Sequence, residues 1–286
     1  AGYVANVAEG NEFILDNSYI DASNTTGIAN NGTLTLGTTG KFRGNYSGTG
    51  ATFTAASGNT QFLGNVDLSG TTFNANGGTV IFANNSTVTF TTKSDGSTVL
   101  NDVTINSGAK VTTASTFKVE GNWINSNTSA SDFCFTSTTG TITFTKAGTD
   151  NSNHTTLSIS GYNKFYDFVA NGDYADITFN DKNNFHDVTF SGNNCNITFQ
   201  KANQFNDAAF SGENCVIAFN DSNTFEAATF NSKFATITFD KSNTFNNDVL
   251  FENIEKANQS DILAEDLNQR FAAIIQDINK LEKEGI

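Results

Sequence analysis

Apolar and polar residues alternate along most of this chain in runs of only three to five residues. In the stretch 177–196, Ile177 and Phe179 flank Thr178, and Val188 and Phe190 flank Thr189. A period of two is the mark of a strand with one buried face. Between the runs lie Asn180-Asp181-Lys182-Asn183 and Ser191-Gly192-Asn193-Asn194. Asn, Asp and Gly tolerate left-handed backbone angles and bond to their own backbone, so these pieces are predicted turns.

The pattern then recurs. Between 163 and 251 it returns every 20 residues in fixed columns. Phe165, Phe185, Phe205, Phe225 and Phe245 form one column, and Phe179, Phe199, Phe219 and Phe239 a second. Phe190, Phe210 and Phe230 form a third, which Leu250 is expected to close. Asn163, Asn183, Asn203, Asn223 and Asn243 form a fourth. A fixed period with fixed columns means one unit stacked on itself. A helical repeat lacks support because the unit is rich in Asn, Gly, Thr and Phe, with no run of helix formers at three- and four-residue spacing. Propeller blades need about twice this length, and a leucine-rich repeat needs a Leu ladder. The remaining architecture is all-β, a parallel β-helix (β-solenoid) of 20-residue rungs about 4.8 Å apart. Phe over Phe predicts stacked rings, and Asn over Asn predicts an amide ladder.

Earlier in the chain the period is looser. Phe42, Phe62 and Phe82 keep it, as do Phe53 and Phe73. From 91 to 160 it slips, which predicts uneven rungs, with 125–131 and 149–154 as loops. The chain divides into an entry or capping segment at 1–30, the β-helix at 31–252 (regular over 161–252) and a tail at 253–286. In the tail Ala264, Leu267, Phe271, Ile274, Ile278 and Leu281 recur at helical spacing. Ser260 or Asp261 can cap the start of a C-terminal amphipathic α-helix, acids early and lysines late suiting its dipole. That helix is expected to cover the solenoid's end, to pair with another copy, or to serve as a spacer.

Composition narrows the function. The 27 Phe and the absence of Pro suit a body of paired strands. A chain beginning at Ala1 without Met is expected to be a secreted protein whose signal peptide has been removed. No apolar run of 18 residues suggests membrane insertion. Net charge is −14, and residues 21–90 hold only Asp21, Lys41, Arg43 and Asp67 as charged groups. A Thr/Asn/Gly surface suits extracellular contact with glycans or proteins; nucleic acid would need a basic face.

Residues 27–36, GIANNGTLTL, resemble rungs of bacterial autotransporter passengers and polymorphic outer-membrane-type adhesins. The stretch 78–123, with VTINSGA at 103–109, is similar to β-helical surface proteins of other bacteria. The resemblance implies secretion, a right-handed parallel β-helix and an adhesive or structural role.

Chemistry is sparse. His154 and His186 show no metal or nucleophile spacing. Cys134, Cys195 and Cys215 make no disulfide framework; Cys195 and Cys215 share a column with Ala175 and Ala235 and are expected to point inward. Asp167 and Asp187 share a column, as do Asp181 and Asp221, and recurrence with the fold reads as turn or face positions rather than catalysis or calcium binding. Thr33/Thr35, Thr87/Thr89 and Thr141/Thr143 suggest ice-binding solenoids, but the Thr columns are ragged. Trp123, Tyr46, Tyr162 and Tyr174, if exposed, could stack on sugars. The expectation is therefore no catalytic, cofactor or metal residue and a non-enzymatic extracellular protein of a cell surface. Its expected partners are copies of itself, joined head-to-tail as a filament or adhesin shaft, and host or environmental glycans or proteins. The alternative is a carbohydrate-binding or polysaccharide-cleaving β-helix, of the phage tailspike kind, with paired carboxylates in a groove from 91–160.

Overall fold

The structure, a computed structural model, describes residues 5–7, 12–15, 18–21, 27–83, 87–127, 135–247, 249–252 and 256–259. Every strand pairing among them is parallel, and the strands gather into a 19-stranded and a 12-stranded sheet. The chain winds as a β-solenoid of about 11 turns. In the regular region Asn163–Ala170 lies on Asn183–Phe190, and that on Gln204–Phe210. On the other sheet Ala175–Phe179, Asn196–Phe199, Val216–Phe219 and Thr236–Phe239 follow one another. Bends at 166–167 and 186–187 carry a single long strand across two of the three sides of a rung.

The aromatic columns run through the core. Phe185 stacks on Phe205 at 5.2 Å between centroids with planes 8° apart, and Phe199 on Phe219 at 4.9 Å and 2°. Between columns the rings meet edge to face, as in Phe199 against Phe205 at 5.3 Å and 88°. Each ring thus presents its negative face and positive edge to complementary partners, beyond the roughly 2–3 kcal/mol of its burial.

The third column closes differently from the sequence expectation. Phe230 pairs with Phe251, stacked at 4.7 Å and 7°, while Leu250 pairs with Thr229 and is 41 % exposed. The connection after Phe245 is one residue longer than in earlier rungs. Because side chains alternate sides, that one residue moves the inward position from 250 to 251.

In the N-terminal half Phe42, Phe62 and Phe82 are in register, as are Phe53 and Phe73. Ala5–Val7, Glu12–Leu15 and Ser18–Asp21 pair with Ile28–Asn30, Thr33–Leu36 and Thr39–Arg43. The ladder therefore begins inside the segment read as an entry. It also runs past 252, since Lys256–Gln259 pairs with Thr236–Phe239. The apolar stripe at 264–281 lies outside the described residues. Between 91 and 160 rungs are indeed uneven: Ser158 N donates to Asn122 Oδ1 across 36 residues. The predicted loop at 149–154 is a tight turn closed by an Asp150–Asn153 bridge. Of the loop predicted at 125–131, Asn125 ends a strand and both it and Asn127 are buried, while 128–131 lie outside the described residues.

Candidate functional site

The Asn column is buried and structural. Asn163 Nδ2 donates to Asn183 Oδ1 at 2.9 Å. From there each Oδ1 accepts the backbone N–H of the preceding rung: Asn183 to Asn203, Asn203 to Asn223 and Asn223 to Asn243, all at 2.8 Å. Each amide nitrogen meanwhile turns back to its own loop, as Asn183 Nδ2 does to Asp181 O at 2.8 Å. The ladder continues to residues outside the 20-residue period: Trp123 Nε1 and Asn125 Nδ2 both donate to Asn163 Oδ1, at 3.0 and 3.1 Å. Nothing in it is accessible to a ligand.

The two described cysteines are free and buried. Each thiol reaches the carbonyl of a glycine in the previous rung: Cys195 Sγ to Gly172 O and Cys215 Sγ to Gly192 O, both at 3.3 Å. The next rung has Ala235 in that column, and there the Ser232 hydroxyl donates to Gly212 O instead. A side chain at Gly192 or Gly212 would collide with the carbonyl oxygen of the glycine below. The Cys215 sulfur and burial hold the Cys195 thiol well above the ordinary cysteine range.

Of the aromatic residues considered as sugar platforms, Trp123 and Tyr46 are core. Both are 1 % exposed, because their register partners on neighbouring rungs face inward. Tyr46 Oη accepts from Asn30 Nδ2 at 3.0 Å, and burial pushes its pKa up to about 12. Tyr162 and Tyr174 are half-buried. Tyr174 meets His154 edge to face at 5.9 Å and 73°, and at the surface Tyr166 stacks on His186 at 4.5 Å and 13°.

Carboxylates take up repeat positions. Asp167, Asp187 and Asp207 are in register at the bend; Asp167 accepts from Thr141 Oγ1 at 2.6 Å, and Asp187 pairs with His186 at 3.2 Å. Asp181 and Asp221 share their column with Lys201 and Lys241, a sign alternation legible in the sequence. Lys241 Nζ lies 3.2 Å from Asp221 Oδ1. The Ser222 N–H first, then Lys241, hold Asp221 below the usual carboxylate range. His154 Nδ1 sits 2.9 Å from Asp176 Oδ1. In the uneven stretch Asp95, Asp102 and Asp150 each accept a nearby backbone N–H, of Ser97, Asn122 and Ser152. Glu120 lines a shallow cleft with Phe73, Asn74 and Asn101. Asp102 lies against the segment that carries Glu120, its Oδ1 accepting the Asn122 N–H at 2.6 Å, and among the described residues no three His, Cys, Asp or Glu side chains converge on a common point.

At the last rung the columns are less well covered. Phe225 and Phe230 are fully buried, whereas their counterparts one rung on, Phe245 and Phe251, are only partly so, together with Val249. Val249–Glu252 and Lys256–Gln259 pair with the rung before them and, among the described residues, with none after. The first rung offers three strands, Ala5–Val7, Glu12–Leu15 and Ser18–Asp21; the last offers Thr244–Phe245, Val249–Glu252 and Lys256–Gln259 in the same order. A strand edge of this kind is a template for another strand.

Comparison with protein-family models, curated proteins and solved structures gives no match. The candidate site therefore rests on geometry alone.

Proposed function

We propose that this chain is a non-enzymatic structural or adhesive protein of a bacterial-type cell surface, secreted, and joined head-to-tail through its solenoid ends. The observation carrying this reading is the matched order of three parallel strands in the first and last rungs. A second copy stacked there continues each ladder, with hydrogen bonds and ring stacking like those between interior rungs. Right-handed winding is part of the proposal, since the twist of L-residue strands strongly favours that hand for parallel crossovers. The weakly charged face of residues 21–90 supports an extracellular setting, in which glycans or host proteins are the partners. A C-terminal helix over 260–286 is retained as part of the proposal on its apolar spacing.

Size-exclusion chromatography with electron microscopy tests the assembly. The expected image is of rods or fibres whose width is that of one solenoid and whose length grows with concentration. A strict single copy at high concentration, for the full chain and for a chain ending at Gln259 alike, overturns it.

A further inference from the structure

We infer that the segment 260–286 covers the terminal rung of its own chain and so decides whether a second copy can stack there. The last rung leaves Phe245, Val249 and Phe251 only partly covered, although the same columns are closed one rung earlier. The chain leaves this rung at Gln259, the last residue of the last strand, with 27 residues still to follow. Those residues carry six apolar side chains on one helical stripe: Ala264, Leu267, Phe271, Ile274, Ile278 and Leu281. In a helix the stripe from 264 to 281 extends about 26 Å, enough to lie along a rung end.

Tethering decides between this occupant and a second copy. A segment joined directly to the strand it covers acts at an effective concentration of the order of millimolar. A separate copy matches that only when it is itself concentrated or when the segment is drawn away. Covering the rung would also blunt an otherwise exposed strand edge, as solenoid capping elements do. The covering does not depend on the end-to-end reading; the control of stacking does.

Amide hydrogen exchange in dilute protein, held to one copy as shown by sedimentation, tests the covering. Three chains are compared: the full chain, a chain ending at Gln259, and the full chain with Leu267→Asp and Ile274→Asp. The two altered chains are expected to exchange at Val249–Glu252 about tenfold faster or more than the full chain. Equal rates in all three overturn the covering. A change on truncation without one in the double Asp variant also overturns it, since the apolar stripe is then not what lies there. Light scattering at high concentration tests the control separately. The two altered chains are expected to assemble faster than the full chain. Assembly at the same rate in all three overturns control by the segment, and failure of every chain to assemble overturns the end-to-end reading while leaving the exchange result in force.

Discussion

The backbone N–H of Asn183 donates to the side-chain Oδ1 of Asn203 in the next rung, 2.8 Å away. A side chain thus completes the backbone pairing where the strand Asn183–Phe190 begins. Asn203→Ala removes the acceptor and also the Nδ2 bond to Lys201 O, leaving buried groups unsatisfied. Each such group costs about 1–3 kcal/mol. The expected loss is about 2–5 kcal/mol of local stability, read as faster exchange at Asn183 and Asn203. A loss below about 0.5 kcal/mol would mean that the ladder is not structural.

Register at the last rung can be tested with two neighbouring residues. Phe251 stacks on Phe230, whereas Leu250 faces solvent. Leu250→Ser is expected to shift stability by less than about 0.5 kcal/mol. Phe251→Ala should cost about 2–4 kcal/mol, somewhat less than Phe205→Ala in the fully buried interior. Reversed magnitudes would restore Leu250 to the column.

That register shift marks where the sequence stops being sufficient. A fixed 20-residue count selects Leu250, while the alternation within Val249-Leu250-Phe251, aligned with Ala228-Thr229-Phe230, selects Phe251. Pattern within the strand outranks spacing between strands, because a turn absorbs one residue without disturbing the pairs, whereas an extra residue inside a strand forces a bulge. The Phe and Asn columns, the inward cysteines and the parallel stack were legible because each rung repeats one local solution. Asn125, Asn127 and Trp123 were not, since they join the buried amide ladder from rungs of different length. No repeated column could announce them. Nor does periodicity reveal a ligand, because what recurs with the fold reports on the fold.

The column Tyr174, Asn194, Asn214 and Phe234 has positive φ in every rung, between 53° and 59°. Asn accepts this backbone readily, and an aromatic residue does so at a cost of about 1–2 kcal/mol. Phe234 is 55 % exposed, with Lys233 Nζ 5.1 Å from its ring centre. Such an exposed cation–π contact is worth about 0.5–1 kcal/mol. Phe234→Asn is therefore expected to raise the melting temperature slightly, or at least leave it unchanged. A clear fall would show that the ring has packing value that its exposure does not suggest.

The thiols report on the integrity of the stack. Cys195 and Cys215 are each 2 % exposed, and Cys195 is held above the ordinary thiol range. In a Cys134→Ser background, which removes the thiol outside the described residues, native protein is expected to resist a thiol reagent such as DTNB at pH 8. Both thiols should react once denaturant opens the rungs. Cys215→Ser keeps a donor for Gly192 O and should be milder than Cys215→Ala, which leaves that carbonyl unpaired at about 1 kcal/mol or more. Rapid labelling of the native chain would contradict the buried placement.

Acid should loosen the charged turn column. The folded chain holds Asp221 below its ordinary pKa, through the Ser222 N–H and then Lys241. A carboxylate depressed in the folded state contributes stability above its unfolded pKa of about 3.9 and loses it as pH falls through the lower folded value. The window is therefore below about pH 4, and no loss from this group is expected between pH 8 and 5. Asp95 and Asp150 are depressed by their own turn hydrogen bonds and act in the same direction. Asp221→Asn should be somewhat less stable than the parent at pH 7 and should lose less on acidification, so that the two melting curves converge toward pH 2. Because the Asp221 side chain is 29 % exposed, raised salt should shrink the difference further at pH 7. Parallel curves from pH 7 to 2 would remove Asp221 from the acid response and leave it to the two turn aspartates.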